Sequence, residues 1–372
     1  MSFFEYQEPV KLMFGKDSIK RLPEAVNSSG YKKGVLITSK YFSSSGIADD
    51  IVNSTKQIVG VFGSVSPNAL LKEVTKASEL IKETGADFVV AVGGGSTIDL
   101  AKFACSLAVH DGEAKEYFYK TKTFTSKRVP LIAVPTTSGT GSEVTSVSVC
   151  TDEDSGVKGP LVSNNFYPSL AIIDYMLTLS VPKYTTAISG LDALSHALEA
   201  FWNVNRLPIT DMYAKKAVEL IINNIEKAYD DGSNIEARKA MSLGSVYAGL
   251  AFAPTRTAAV HACSYALSNQ YNLPHGEACA FTMGFFLQEN ADVDKRLNIL
   301  AKDLGFKNVD SMVDKIENLK KKFALKTTLK DIGCVDVGKL VRECLAHPLF
   351  NNNPRKYTEE SLTKAFKKYF KN

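Results

Sequence analysis

The chain has 372 residues, 45% hydrophobic and 23% charged, with 44 Lys and Arg against 40 Asp and Glu for a net charge of +4. That length exceeds one ordinary core and predicts two domains of a soluble globular protein. The charges are mixed along the chain, which leaves no nucleic-acid footprint, and no apolar run reaches membrane-spanning length.

The opening MSFFEYQEPVKLMFG has no basic segment followed by an apolar run, so it does not read as a signal peptide. Cys105, Cys150, Cys263, Cys279, Cys334 and Cys344 are scattered without CxxC pairs. In a chain of this size they predict reduced thiols and a cytoplasmic location, each thiol acting by default as a small buried hydrophobe.

In chain order, GVLITS (34–39), IVGVFG (58–63), DFVVAVGGG (87–95) and VPLIAVP (129–135) are β-rich runs that end in turn residues. Between the second and third lies NALLKEVTKASELIKETG (68–85), with apolar residues at helical spacing and Gly85 as its stop. The alternation predicts a parallel, doubly wound α/β nucleotide-binding domain over 1–180, with SVSVCTDE and LAIID as further strands. From about residue 183 the β runs cease. TTAISGLDALSHALEAFW, ITDMYAKKAVELIINNIEKAY and NIEARKAMSLGSVYAGLAF predict an all-helical domain over 181–372, closed by an amphipathic Lys-rich helix.

Gly93, Gly94 and Gly95 stand at the end of a strand and before a helix. Such glycines let backbone N–H groups approach an anion, and the helix N-terminus adds its positive end, so a diphosphate is the natural guest. Ile98 fills the sixth position, so the loop is not the G-x-G-x-x-G fingerprint. A second loop, VPTTSGTGSEVTS (134–146), carries hydroxyls on Thr136, Thr137, Ser138, Thr140, Ser142 and Thr145 around two glycines. It suits a ribose or carboxamide, or else is an ST-turn-rich connection. Two such loops on one sheet edge favour a dinucleotide.

In SGLDALSHALEAF (189–201), Asp192 and His196 stand at i and i+4 and point from one helix face. Alone they read as a cap and a core histidine. His261 and His275, fourteen apart in a small, apolar setting, change that reading. Pro274 breaks the helix between them, so two elements would converge. One carboxylate and three imidazoles suit a divalent zinc or iron ion. Cys263 and Cys279 lie nearby, with packing as their expected role and thiolate ligation as the alternative; His110 and His347 fall outside the set.

GGGSTIDLAK, PTTSGTGSEVT, GLDALSHALEAF and PHGEACA, in this order and spacing, resemble the iron-containing (group III) alcohol dehydrogenases over nearly the whole chain. The resemblance implies a dehydroquinate-synthase-like fold and a homodimer or larger homo-oligomer. By position it implies metal ligands at Asp192, His196, His261 and His275. It implies cofactor contacts at Asn68, Gly94, Gly95, Ser96, Asp99, Thr136, Thr137, Thr145 and Lys158. Three departures stand out. Ser39, followed by Lys40, sits where many members place an Asp against the adenosine ribose, which favours NAD(H) less strictly over NADP(H). Tyr265 replaces a His that many members carry four residues after the third ligand. Arg256, in TRTAAVHACSY, resembles the branch that reduces sulfoacetaldehyde and phosphonoacetaldehyde.

The expected chemistry is hydride transfer from NAD(P)H to a small aldehyde that the metal polarises. Arg256 would clamp a sulfonate or phosphonate, with Thr257 and Ser264 as added donors. Its bland reading is an Arg paired with an acid. The alkoxide proton would come from water or a cofactor hydroxyl, with Tyr265 as the candidate side chain. The alternatives are a neutral short-chain alcohol or diol dehydrogenase with a structural Arg256, a dehydroquinate-synthase-like lyase, and a non-catalytic NAD- or metal-binding protein.

Overall fold

The computed structural model describes residues 3–371, which divide into two compact units. The first is Gln7–Ser180; the second takes residues 181–371 together with 3–6. Residues 3–6 therefore leave the sheet unit, and the ring of Tyr6 lies 6.3 Å from that of Tyr213.

The sheet unit holds strands β1 (Lys11–Phe14), β2 (Gly34–Ser39), β3 (Ile58–Val65), β4 (Phe88–Gly93), β5 (Leu131–Pro135), β6 (Val147–Thr151), β7 (Lys158–Val162) and β8 (Leu170–Ile173). Its helices are α1 (Leu22–Ser28), α2 (Lys40–Ser44), α3 (Ile47–Ser54), α4 (Leu71–Thr84), α5 (Gly95–Leu107) and α6 (Ala114–Phe118). Six strands form one sheet in the order β1-β8-β5-β4-β2-β3, every pair parallel. Buried runs such as FVVAVG explain this, because strands covered on both faces lose the apolar–polar alternation. α4 stops at Gly85, whose φ of 61° closes the helix left-handed.

Two departures from the sequence reading concern short strands. SVSVCTDE does not extend the parallel sheet; β6 pairs antiparallel with β7 as a separate hairpin. The connection from Asp152 to Val157 is too short for the crossover that parallel neighbours need. β1 is only four residues long and largely exposed, which leaves little periodic signal.

The second unit is helical among the described residues: α7 (Lys183–Trp202), α8 (Pro208–Asp230), α9 (Ile235–Thr255), α10 (Ala259–Tyr271), α11 (His275–Ala291), α12 (Arg296–Asp303), α13 (Val309–Lys322), α14 (Val337–Ala346) and α15 (Glu359–Tyr369). Ala, Leu, Ile and Phe from these helices form its continuous core. Residues 189–201 of α7 are almost wholly buried, so the polar side chains there must find partners inside. No described helix is long and apolar enough to cross a membrane.

Candidate active site

The order of the sheet reverses between β2 and β4: the chain leaves β2 for β3 at one edge, then crosses back to β4. Ligands of open parallel sheets gather outside the carboxyl ends of strands at such a point. Ser39 ends β2, and Gly93, Gly94 and Gly95 end β4 and open α5. A Cβ on Gly95 would come 2.6 Å from Thr140 Cγ2, and one on Gly94 would press Thr137 Oγ1 at 3.3 Å. The two loops therefore lie against each other, and a side chain at Gly95 would have to displace Thr140. The Thr136 N–H donates to the Gly93 carbonyl at 3.0 Å and fixes their relation.

Asn68 reaches the same rim. Its N–H donates to Ser96 Oγ at 3.1 Å and its Oδ1 accepts from Lys158 Nζ at 2.9 Å, with its backbone at φ 73°. Asp99 sits deeper. Its carboxylate accepts from Ser142 Oγ at 2.5 Å and from the Val149 N–H at 3.0 Å, so it braces the second loop. Beside it Lys102 is fully buried and donates to Thr145 Oγ1 and the Val147 carbonyl at 3.2 and 2.7 Å. Burial pulls Lys102 down to about 8, partly offset by Asp99.

In the helical unit, Asp192, His261, His275 and Cys279 each offer one ligand atom, all within 4.8 Å of one another. Asp192 Oδ1 stands 3.6 Å from His261 Nε2 and 3.6 Å from His275 Nε2. His196 packs alongside, stacked on Phe252 at 4.2 Å and on His261 at 4.4 Å, with its Nδ1 4.0 Å from Asp192 Oδ2.

Local sequence explains the convergence. Asn272 ends α10 with φ 54°, Pro274 restarts the chain as the N-cap of α11, and His275 is the first residue of that helix. Gly276 follows because a Cβ there would overlap the Ile188 carbonyl of α7. That contact seats α11 against the helix bearing Asp192.

The side chains of Asp192 and His261 are 4% and 5% exposed, whereas His275 is 30% exposed, so the site opens at His275. Asp192 Oδ1 and His261 Nε2 are buried without a hydrogen-bond partner, yet they face the same space. Buried polar atoms left this way call for an ion or a water. Burial disfavours a charged Asp192, but His196, His275 and His261 more than offset that and hold its carboxyl below the usual range. Burial likewise opposes charge on His261, while Cys279, Glu199 and Asp192 push it up. The field favours positive charge at this point, and the donor set fits a divalent transition metal.

Glu199 was not singled out in the sequence. It is fully buried and accepts from the N–H groups of Val260 and His261 and from His261 Nδ1 at 2.7, 3.3 and 2.5 Å. With that proton on Nδ1, a neutral ring would present its Nε2 lone pair to the space it shares with Asp192 Oδ1. The available signal was spacing, since Asp192, His196 and Glu199 stand at i, i+4 and i+7. Cys279, for which packing was favoured over ligation, joins the cluster from i+4 of His275. His347, set aside as ordinary, stacks on Tyr265 at 4.7 Å, and the Tyr265 ring lies 6.2 Å from His275.

Ser264 is fully buried, donates to the His261 carbonyl at 2.8 Å and lies 3.4 Å from His275 Nδ1. Thr257 is buried, and its carbonyl accepts from Asn352 Nδ2 at 2.8 Å. Arg256 caps α9 with φ 64° and ψ 177°, a region almost reserved for glycine. Its carbonyl accepts from Asn203 Nδ2 at 3.0 Å and Thr255 Oγ1 at 2.9 Å, bonds that hold the strained turn.

Comparison with known proteins covers both units. Residues 9–175 match the iron-containing alcohol dehydrogenase model, and residues 186–370 match the C-terminal model of the Fe-containing alcohol dehydrogenase family. The solved sulfoacetaldehyde reductase from Bifidobacterium kashiwanohense, in complex with NAD+, is 39% identical with TM-score 0.96, over 99% of each chain. A choline dehydrogenase of Bacillus subtilis is 32% identical over 99% of this chain and 95% of its own. A 1,3-propanediol dehydrogenase of Citrobacter freundii is 32% identical over 99% of both. Matched in both units and along its whole length, the chain belongs to the iron-containing alcohol dehydrogenase family and is an oxidoreductase.

Proposed function

We propose that this enzyme reduces a small anionic aldehyde of the sulfoacetaldehyde kind to its alcohol, with NADH as the favoured reductant and NADPH as the alternative. The observation that carries the anionic choice is Arg256, held in a strained turn three residues before the helix that bears His261. A similar length-matched relative acts, by its name, on sulfoacetaldehyde and was solved with NAD+. Other relatives are named for a cationic alcohol and a neutral diol, so family membership leaves the charge of the substrate open.

The reaction takes NAD(P)H, the aldehyde and one proton to NAD(P)+ and the alcohol. Gly94, Gly95 and the start of α5 would hold the diphosphate. Asn68, Ser96, Thr136, Thr137 and Lys158 would orient the rest of the dinucleotide, with Ser39 toward the adenosine ribose. Asp99 and Thr145 support that loop from beneath. Asp192, His196, His261 and His275 would hold a divalent metal, zinc or iron, which supplies Lewis-acid polarisation of the carbonyl when bound. Glu199 fixes the His261 tautomer and Ser264 steadies His275. The guanidinium of Arg256 would bind the anionic end in bidentate fashion. Tyr265, whose ring lies 6.2 Å from that of His275, is the side-chain candidate for proton delivery, with water or a cofactor hydroxyl as the other source.

The 1,3-propanediol relative supports a second reading, a neutral short-chain aldehyde with Arg256 structural. The test measures NADH oxidation by the metal-replete protein with sulfoacetaldehyde, phosphonoacetaldehyde, butyraldehyde and lactaldehyde, and repeats it with Arg256→Leu. A kcat/KM about a hundredfold higher for an anionic aldehyde, about 2.7 kcal/mol, is expected, and Arg256→Leu should erase the difference. Equal losses on anionic and neutral aldehydes would refute the clamp.

A further inference from the structure

We propose that His347 is a specificity-determining residue, its Nε2–H donating to an oxygen of the substrate's anionic end alongside Arg256. The proposal rests on the anionic-aldehyde reading above and adds a donor that reading does not use.

His347 is the N-cap of the 3-10 turn Pro348–Asn352, and its Nδ1 accepts from the Leu349 N–H at 3.3 Å. A neutral imidazole that accepts at Nδ1 carries its proton on Nε2. Burial lowers the proton affinity of the ring, and the positive field of His261 lowers it further, which keeps it neutral. Among the described residues Nε2–H meets no acceptor. The ring stacks on Tyr265 at 4.7 Å with 11° between the planes. Tyr265 in turn lies 6.2 Å from His275, the residue at which the metal site opens. The ring centres of His347 and His275 are therefore at most about 11 Å apart. A metal–oxygen bond of about 2 Å, the O=C–C–S–O chain of a two-carbon sulfonate and an N–H···O bond of about 2.9 Å fit within that reach.

The same turn ends beside Arg256. Asn352 Nδ2 donates to the Thr257 carbonyl at 2.8 Å, and the Asn352 carbonyl accepts from the Val204 N–H at 3.1 Å. Asn203 Nδ2 donates to the Arg256 carbonyl at 3.0 Å, so one bonded frame carries both Arg256 and His347. The competing account makes His347 a cap that also packs. A cap alone is served by Asp, Asn or Ser, and a stack alone by Phe or Tyr. Histidine supplies the cap acceptor, the flat ring and a remaining N–H together. A sulfonate or phosphonate head presents three oxygens. A bidentate guanidinium takes two of them, which leaves the third for a single fixed donor.

The test compares the metal-replete wild type, His347→Phe, His347→Asn and Arg256→Leu on sulfoacetaldehyde and on butyraldehyde with NADH. Circular dichroism checks the fold of each. Phe keeps the stacked ring and Asn keeps the cap acceptor, while both lack the Nε2–H. In both His347 variants the ratio of kcat/KM for sulfoacetaldehyde to that for butyraldehyde should fall at least about tenfold, as expected for one lost hydrogen bond to a charged group. The loss should lie mainly in KM for the anionic aldehyde, because the bond is made in the ground state and the transition state alike. If His347→Phe does not fold, His347→Asn alone decides. A ratio that falls in Arg256→Leu but holds in a folded His347 variant would overturn the His347 donor and leave the anionic reading standing. A wild-type ratio no higher than about one would overturn both.

Discussion

Replacing Glu199 by Gln removes one charge and leaves the shape of the side chain. The carboxylate accepts three hydrogen bonds: from the Val260 N–H at 2.7 Å, the His261 N–H at 3.3 Å and His261 Nδ1 at 2.5 Å. An amide offers one oxygen. If that oxygen keeps the two backbone donors, its NH2 faces Nδ1 and forces the imidazole proton to Nε2. Nε2 is the atom that faces Asp192 Oδ1 at 3.6 Å, and a proton there removes its lone pair from any metal. If the oxygen instead takes Nδ1–H, the NH2 meets two buried N–H groups, at a cost of about 1–3 kcal/mol. Both routes lead to weaker metal binding. Loss of such a supporting carboxylate typically costs about 10–100-fold, or about 1.4–2.7 kcal/mol. The assay is zinc affinity by chelator competition, with circular dichroism as the check on folding. Wild-type affinity in a correctly folded Glu199→Gln protein would refute the tautomer argument.

Gly95→Ala would drive a Cβ to 2.6 Å from Thr140 and part the two loops, so NADH affinity should fall at least about tenfold by calorimetry while metal content stays constant. Arg256→Gly should relieve the strained φ of 64°, raising stability by about 1–3 kcal/mol in chemical denaturation while abolishing preference for anionic aldehydes; lower stability would sink the strain argument. Burial pushes Glu143 up to about 7 from the ordinary 4.5, so its stability contribution is whole below that lower value and is lost as pH rises through about 7. Lys102, pulled down to about 8, gives a contribution that is lost only as pH falls from the ordinary lysine value through about 8, above the range in which Glu143 acts. Melting temperatures of Glu143→Gln and wild type should therefore diverge in favour of the variant between about pH 5 and pH 7.5; parallel curves would contradict the buried-acid assignment.

The fold was legible where periodicity was strong. Buried strands such as Phe88–Gly93 and the long α7 announce themselves through unbroken apolar runs and i, i+4 spacing. β1 and the β6–β7 hairpin did not, because short strands depend on distant partners that no local pattern encodes. In the candidate site, Asp192, His261 and His275 were visible because polar groups in apolar settings need a reason. Glu199 was hidden inside a helical motif as one more polar residue, and its role appears only when Val260 and His261 fold over it. Cys279 was ambiguous because a cysteine packs as readily as it ligates. His347 lies seventy-two residues after His275 in sequence, and only the packing of α14 against α10 brings it to Tyr265.

The contact of Gly276 with Ile188 also bears on ionic radius. With no side chain between them, α11 has no compressible layer on which to retreat from α7, so the gap between Asp192 and His275 is set by backbone against backbone. A larger ion would have to pry two packed helices apart. Calcium, which seeks six to eight oxygens at about 2.3–2.6 Å, would therefore be turned away by size as well as by donor chemistry.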